Sequence, residues 1–149
     1  MSLVLAIIVC LAVGAGGALL TRPHLRSWYR PLRKPRWNPP DALFAPVWTA
    51  LYVTMAVAVW LVWRAGASWW RLVPFAVQLA LNLGWSGLFF ALRRPDLALV
   101  EIVVLWVSIA LTIVVFAPVS SAAALLLVPY LSWVTFAGAL NLRIWSLNR

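Results

Sequence analysis

Polar side chains inside otherwise apolar stretches are the first candidates for chemistry in this sequence. Gln78 and Asn82 lie four residues apart, and that spacing places both on one face of a helix. Asn141, Thr49 and Tyr52 lie in other apolar stretches. Polar groups within a membrane usually face the interior of a helix bundle and often mark a site. Hydrogen bonding between helices is the favoured role for Gln78 and Asn141, whereas Asn82 fits either hydrogen bonding or ligand contact.

Tryptophan is the second unusual feature, with 11 among 149 residues. Most of them lie near predicted helix ends, where indole rings commonly occupy the membrane interface. Trp48, Trp85, Trp106 and Trp133 lie further inside apolar stretches, where an indole N–H needs a hydrogen-bond partner. Flat, polarizable indoles around a cavity would suit a flat aromatic ligand such as a porphyrin. Core packing is the plainer interpretation of Trp85 and Trp106, whereas ligand contact is favoured for Trp48 and Trp133.

The chain lacks the residue sets that most enzymes use. It has no Ser/His/Asp set, no paired carboxylates and no glycine-rich phosphate loop. A single cysteine, Cys10, and a single histidine, His24, exclude a disulfide and clustered metal ligands, so no metal site is predicted. Glu101 is expected to complement a helix dipole or to pair with Arg93 or Arg94. Redox or photochemistry through tryptophan and a bound pigment needs none of the missing groups and stays open.

The composition places these residues in a membrane. The chain is 65% hydrophobic and 10% charged, whereas a soluble domain carries roughly 25% charged residues. Its apolar stretches approach the roughly 20 residues that span a bilayer. The first is taken as a retained helix rather than a signal peptide, because no basic residue precedes it. We predict an all-α membrane protein, a single domain at 1–149 with five transmembrane helices at about 2–21, 43–63, 72–92, 97–117 and 122–145.

The basic residues predict the orientation of the chain. The formal net charge is +9, and ten of the 12 Lys and Arg fall in the segment 22–42, the turn 93–96 and the C-terminal end. The positive-inside rule then places these regions in the cytoplasm and the N-terminus outside, in a bacterial cell membrane. Topology and anionic headgroups account for the positive charge, so we predict no nucleic-acid partner.

The segment 22–42 is predicted to be a basic loop stiffened by proline. Residues 34–40 read K-P-R-W-N-P-P, and each proline restricts its own φ and the residue before it. Trp37 and Asn38 are therefore expected on a semi-rigid, extended segment. An interfacial anchor and a lid over a pocket between helices are both compatible with this pattern.

Several motifs together resemble the translocator protein family, also called TspO/MBR, the tryptophan-rich sensory proteins or the peripheral-type benzodiazepine receptors. They are the loop at 34–40, P-V-W-T-A-L-Y at 46–52, Q-L-A-L-N at 78–82 and P-Y-L-S-W at 129–133. The resemblance covers nearly the whole chain, in order and at matching spacing.

The resemblance implies a five-helix bundle, often dimeric, whose pocket binds porphyrins, isoquinoline-carboxamide drugs and, in animal members, cholesterol. Trp48 and Trp133 match pocket tryptophans linked to porphyrin binding and to light-dependent porphyrin breakdown. The other matching ligand-binding positions are Trp28, Trp37, Asn38, Tyr52, Asn82, Trp85, Ala137 and Leu140. The small residues that resemble the dimer face of a bacterial relative are Ala76, Ala80 and Gly84. The cholesterol pattern of animal members is broken here at Leu142 and Ser146.

We therefore predict an integral membrane receptor or sensor for a tetrapyrrole. The ligand would be protoporphyrin IX or a haem-like molecule, and no cofactor is required. Two alternatives stay open. One is an enzyme that degrades porphyrin, with Trp48 and Trp133 as the candidate electron donors. The other is a transporter of porphyrins or sterol-like amphiphiles, which the lack of coupling-ion carboxylates and broken helices disfavours.

Overall fold

The structure, a computed structural model, describes residues 1–149 as long helices without strands. Five helical segments are long and apolar enough to cross a membrane. The predicted all-α fold with five membrane-spanning helices is therefore confirmed. The main helices are α1 (Leu3–His24), α2 (Asp41–Arg64), α3 (Val73–Ser86), α4 (Pro95–Phe116) and α5 (Ser121–Asn148).

The helices form a closed ring in the order α1, α2, α5, α4, α3. Fully buried side chains such as Met55, Leu105 and Tyr130 fill its centre. Valines and leucines cover the outside, and Val100 and Leu125 are among the most exposed. Lipid tails are as apolar as these side chains, so close packing and hydrogen bonds between helices hold such a bundle together.

The predicted end of the first helix is wrong by about two turns. Pro23 lies inside α1, and a π turn at Leu25–Tyr29 continues the helical path. The Arg30 N–H closes this turn by donating to the Leu25 carbonyl at 2.9 Å. Proline removes one N–H and crowds the preceding turn, and a wider π turn accommodates such a defect. The helical path therefore continues past the first basic residues, and the irregular loop covers only 30–40.

Three other helix ends also differ from the prediction. A 3₁₀ turn at Trp69–Leu72 precedes α3, and a π turn at Gly87–Ala91 follows it. Arg93 has a φ of 56°, a left-handed conformation that commonly ends a helix. α5 continues beyond its predicted end at about residue 145 as far as Asn148, because no glycine or proline interrupts this stretch.

The ends of the helices sort into two groups. The loop 30–40 and the C-terminal end of α5 share one end, where Asn148 hydrogen-bonds Arg33. At the opposite end, the Arg71 guanidinium donates to the Val115 carbonyl at 2.9 Å. The structure therefore brings the basic segments to one end of the bundle, while their cytoplasmic location stays a prediction.

Candidate functional site

A cavity of about 420 Å³ lies towards the end of the bundle that carries the loop. It is enclosed by α1, α2, α5 and by α3 together with the π turn that follows it. This volume lies within the roughly 300–1,000 Å³ typical of small-molecule sites. Of its 24 lining residues, 15 are hydrophobic, so the cavity suits a largely apolar ligand. The aromatic residues on its wall are Tyr29, Phe44, Trp48, Tyr52, Trp85, Phe89 and Phe90.

One wall of the cavity is a continuous aromatic cluster. Trp85 stacks on Phe89 with ring centroids 5.1 Å apart at 21°, and Phe89 meets Phe90 edge to face at 4.9 Å. Both phenylalanines are carried by the π turn and are buried. Single π turns within helices occur frequently at functional sites, and this one carries two neighbouring rings of the cavity wall. The wall offers flat faces to a planar ligand.

Trp48 and Trp133 lie side by side, but only Trp48 lines the cavity. Their ring centroids are 6.5 Å apart and their planes are perpendicular. Trp133 packs behind Trp48, between Phe44 at 6.0 Å and Phe136 at 5.4 Å. Its indole N–H is buried and has no hydrogen-bond partner.

Buried hydrogen bonds form the floor of the cavity. The Tyr52 hydroxyl donates to Asn82 Oδ1 at 2.6 Å, and Asn82 Nδ2 donates to the Tyr130 hydroxyl at 2.7 Å. The Tyr130 hydroxyl donates in turn to Gln78 Oε1 at 2.8 Å, and Gln78 Nε2 points to Met55 Sδ at 3.8 Å. This chain joins α2, α3 and α5. Tyr52 and Asn82 also line the cavity. Asn82 therefore makes hydrogen bonds between helices, as one of its two expected roles required, and its contact with a ligand stays a prediction.

A second set of hydrogen bonds fixes Trp85. Its indole N–H donates to Asn141 Oδ1 at 3.1 Å, and Asn141 Nδ2 donates to the Pro95 carbonyl at 2.8 Å. The tryptophan on α3 is thus tied to α5 and, through Asn141, to the start of α4. Because its N–H is already paired, Trp85 presents its ring rather than a polar group to a ligand. Ala137 and Leu140 of α5 complete this side of the cavity.

Gly14 on α1 determines where Tyr52 can lie. A Cβ built on Gly14 would be 2.7 Å from Tyr52 Cε2, well inside van der Waals contact. The tyrosine ring therefore occupies the space that any side chain at position 14 would need. Neither Gly14 nor the cavity-lining Tyr29, Phe89 and Phe90 were among the predicted site residues. The signal for the aromatic residues in the sequence is that they form two adjacent aromatic pairs, Trp28-Tyr29 and Phe89-Phe90.

One basic side chain without an ion-pair partner lies at the mouth of the cavity. Arg22 is the only basic residue that lines it, and its guanidinium makes no ion pair. Asp41 also lines the mouth but lies 3.4 Å from the Arg30 guanidinium. Arg22 is therefore placed to attract an acidic group at the open end of the cavity.

The predicted loop residues stand behind the wall rather than on it. Trp28 packs edge-on against Phe89, with centroids 5.3 Å apart. Asn38 Oδ1 accepts a hydrogen bond from the Tyr29 hydroxyl at 3.3 Å. Trp37 packs against α5 and is half exposed. None of these three predicted residues lines the cavity. The loop is connected to the cavity only through its contacts with Tyr29, which does line it.

The predicted dimer face is exposed along α3. Ala76, Ala80 and Gly84 all lie on the outer surface of the bundle. Beside them, Glu101 on α4 approaches Gly84, and both of its carboxylate oxygens are buried without a hydrogen-bond partner.

The expected pairing of Glu101 with a basic residue is wrong. Arg94 instead binds Asp96 at 2.7 Å, and its pKa is raised, mainly by the hydrogen bond to that carboxylate. The physical reason is the start of α4 at Pro95, which leaves Glu101 further along the helix than the turn can reach.

Fold and site together define a class of membrane protein in which a bundle of five helices contains an aromatic cavity beneath a basic loop. The chain matches the model of the TspO/MBR family over residues 6–146 and belongs to that family. It is an integral, multi-pass membrane protein.

Similar proteins span most of the chain. It is 50% identical to the tryptophan-rich protein TspO of Chlorobaculum tepidum, over 99% of this chain and 96% of that protein. It is 40% identical to the protein of the same name from Archaeoglobus fulgidus, over 99% and 97%. The translocator protein of Bos taurus is 41% identical, over 89% of this chain and 82% of its own length.

Proposed function

We propose that this protein is a membrane receptor that binds a planar, acidic tetrapyrrole such as protoporphyrin IX in the cavity. The observation that carries the proposal is the combination of aromatic walls with one unpaired guanidinium at the mouth. A porphyrin presents the complementary surface, a flat apolar ring with carboxylates on one edge. In this arrangement the ring lies against Trp48 and Trp85, and Arg22 faces the carboxylates.

The polar floor supports the same orientation. Tyr52 and Asn82 are already paired with each other and with buried groups behind them. A carboxylate at the floor would have to break that pairing, and an unpaired buried polar group costs about 1–3 kcal/mol. The acidic edge of the ligand is therefore favoured at the mouth, where Arg22 is exposed.

Titration of the purified protein with protoporphyrin IX, followed by tryptophan fluorescence, tests the proposal. Saturable quenching is expected for the wild type. Trp48→Leu is expected to weaken binding about tenfold, since one aromatic contact contributes roughly 1 kcal/mol or more beyond the area it buries. Trp70→Leu is the matched control, because Trp70 is exposed at the opposite end of the bundle. Absence of saturable quenching at micromolar ligand would contradict the proposal.

The charge of the ligand provides a second, independent test. Arg22→Gln should weaken binding of protoporphyrin IX, and the loss should shrink at high salt because surface charges are screened. The dimethyl ester of the same porphyrin lacks the carboxylates, so its affinity should not respond to this substitution. An equal loss for the acid and the ester would mean that Arg22 contributes by packing rather than by charge.

The contact between Trp48 and Trp133 favours the enzyme as the second candidate. The two indoles lie next to each other, and one of them touches the cavity. Illumination of the bound complex would separate the two functions. A light-dependent change in porphyrin absorption that disappears in Trp133→Phe would favour the enzyme, and an unchanged spectrum would favour the receptor.

We also propose that two copies associate through the exposed face of Ala76, Ala80 and Gly84. Small residues allow helix backbones to approach closely in a membrane. Ala80→Phe should shift the protein from dimer to monomer in detergent. The same substitution at exposed Val104 on α4 is the control.

A further inference from the structure

Asn148, at the end of α5, pairs with both backbone groups of Arg33 in the loop. The Arg33 N–H donates to Asn148 Oδ1 at 2.9 Å, and Asn148 Nδ2 donates to the Arg33 carbonyl at 2.8 Å. The same Nδ2 also donates to the Ile144 carbonyl at 2.7 Å within α5. One amide side chain therefore joins two points that lie 115 residues apart in the chain.

This pairing is the only long-range hydrogen bonding that holds the loop 30–40. Backbone hydrogen bonds within the loop are local, such as Leu32 N–H to the Tyr29 carbonyl and Asn38 N–H to the Pro35 carbonyl. The Arg30–Asp41 contact joins the loop only to the start of the next helix, 11 residues away. The other contact of the loop with α5 is the packing of half-exposed Trp37 against Phe136, with ring centroids 5.6 Å apart. Because proline stiffens the loop internally, the segment can shift as a unit about this contact once the hydrogen bonds to Asn148 are released.

The anchored residue is next to the groups that hold Tyr29. Lys34 follows Arg33, and its ammonium lies 4.5 Å from the centre of the Tyr29 ring. Asn38, later in the loop, accepts the hydrogen bond from the Tyr29 hydroxyl. Tyr29 itself lines the mouth of the cavity. A displacement of the loop would therefore withdraw two contacts from one cavity-lining ring.

We infer that Asn148 is a positioning residue that latches the loop in place and thereby slows the passage of ligand through the mouth of the cavity. A purely structural role would be limited to capping α5 through the Ile144 carbonyl. The kinetic part of the inference rests on the proposed function, because it needs a ligand that occupies the cavity. The latch itself can be measured without any ligand.

The first readout is hydrogen–deuterium exchange of the full-length protein in detergent. The Arg33 amide is protected by Asn148 alone. Loss of two hydrogen bonds should speed exchange of the peptide covering 30–38 by roughly 5- to 30-fold in Asn148→Ala. Ser146→Ala is the control, since the Ser146 hydroxyl bonds only the Arg143 carbonyl within α5. Exchange in α1 and α4 should be unchanged in both variants.

The second readout is the dissociation rate of protoporphyrin IX, measured by dilution or competition. Asn148→Ala should speed dissociation by a similar factor, and Ser146→Ala should not. Unchanged exchange at 30–38 would overturn the latch, whatever the ligand does. Faster exchange with an unchanged dissociation rate would overturn its control of the cavity. If the wild type binds no porphyrin, the proposed function fails, while the exchange comparison still decides whether Asn148 anchors the loop.

Discussion

Gly14 offers the sharpest test of how the cavity is built. In Gly14→Ala the new methyl group would lie 2.7 Å from Tyr52 Cε2 and 2.8 Å from Cδ2. Carbon atoms prefer a separation of about 3.5–4.0 Å, so the ring or α1 must move by about 1 Å. That movement would also disturb the 2.6 Å hydrogen bond from the Tyr52 hydroxyl to Asn82.

The expected loss of stability can be given a magnitude. Overpacking of a closely packed core costs about 1–3 kcal/mol, and a hydrogen bond between membrane helices contributes about 0.6–2 kcal/mol. Alanine in place of glycine inside a helix returns up to about 1 kcal/mol. We therefore expect Gly14→Ala to be destabilised by roughly 1–4 kcal/mol and to bind porphyrin more weakly.

Thermal unfolding in detergent, followed by tryptophan fluorescence, measures the effect. Gly138→Ala on α5 is the matched control, because its new methyl group would meet Ile102 at an ordinary 3.8 Å. It should be as stable as the wild type or slightly more so. Combining Gly14→Ala with Tyr52→Leu should remove the clash, so the two effects should not add. A fully stable Gly14→Ala variant with unchanged affinity would refute this account of the close approach.

Three further predictions follow from the polar groups. Asn82→Leu should destabilise the fold by about 1–3 kcal/mol, because the Tyr52 hydroxyl loses its hydrogen-bond acceptor. The control, Ser132→Ala on the exposed side of α5, should leave the midpoint of thermal unfolding unchanged. Glu101→Gln should be as stable as the wild type or more so, because burying an unpaired charge costs several kcal/mol; a clear loss of stability would reveal a partner for the carboxylate. Burial lowers the pKa of Lys34 below 10.5, so the folded protein releases this proton at lower pH than the unfolded chain. The free energy of unfolding should therefore rise with pH between the pKa of Lys34 in the folded protein and its higher pKa in the unfolded chain. This rise should be absent in Lys34→Met when the wild type and the variant are unfolded across the same pH series.

Six of the ten predicted ligand-binding residues line the cavity, and the other four lie behind its wall. Trp48, Tyr52, Asn82, Trp85, Ala137 and Leu140 line the cavity, whereas Trp28, Trp37, Asn38 and Trp133 pack one layer behind it. The difference depends on side-chain direction. Trp133 lies on the same side of the bundle as Trp48 but is separated from the cavity by that ring.

The five-helix membrane fold follows from composition and length. A helix of about 20 apolar residues is long enough to cross a bilayer and pairs all of its backbone N–H and C=O groups internally. The hydrogen bonds that join Gln78 and Asn141 to residues of other helices follow from the same requirement, since polar groups in hydrocarbon need partners. The shape of the cavity depends instead on how the helices rotate and approach one another. The π turns and the contact of Gly14 with Tyr52 set that geometry. The π turn that follows Pro23 has a local cause in the sequence. The contact of Gly14 with Tyr52 arises instead from packing between distant segments, so no local pattern in the chain records it.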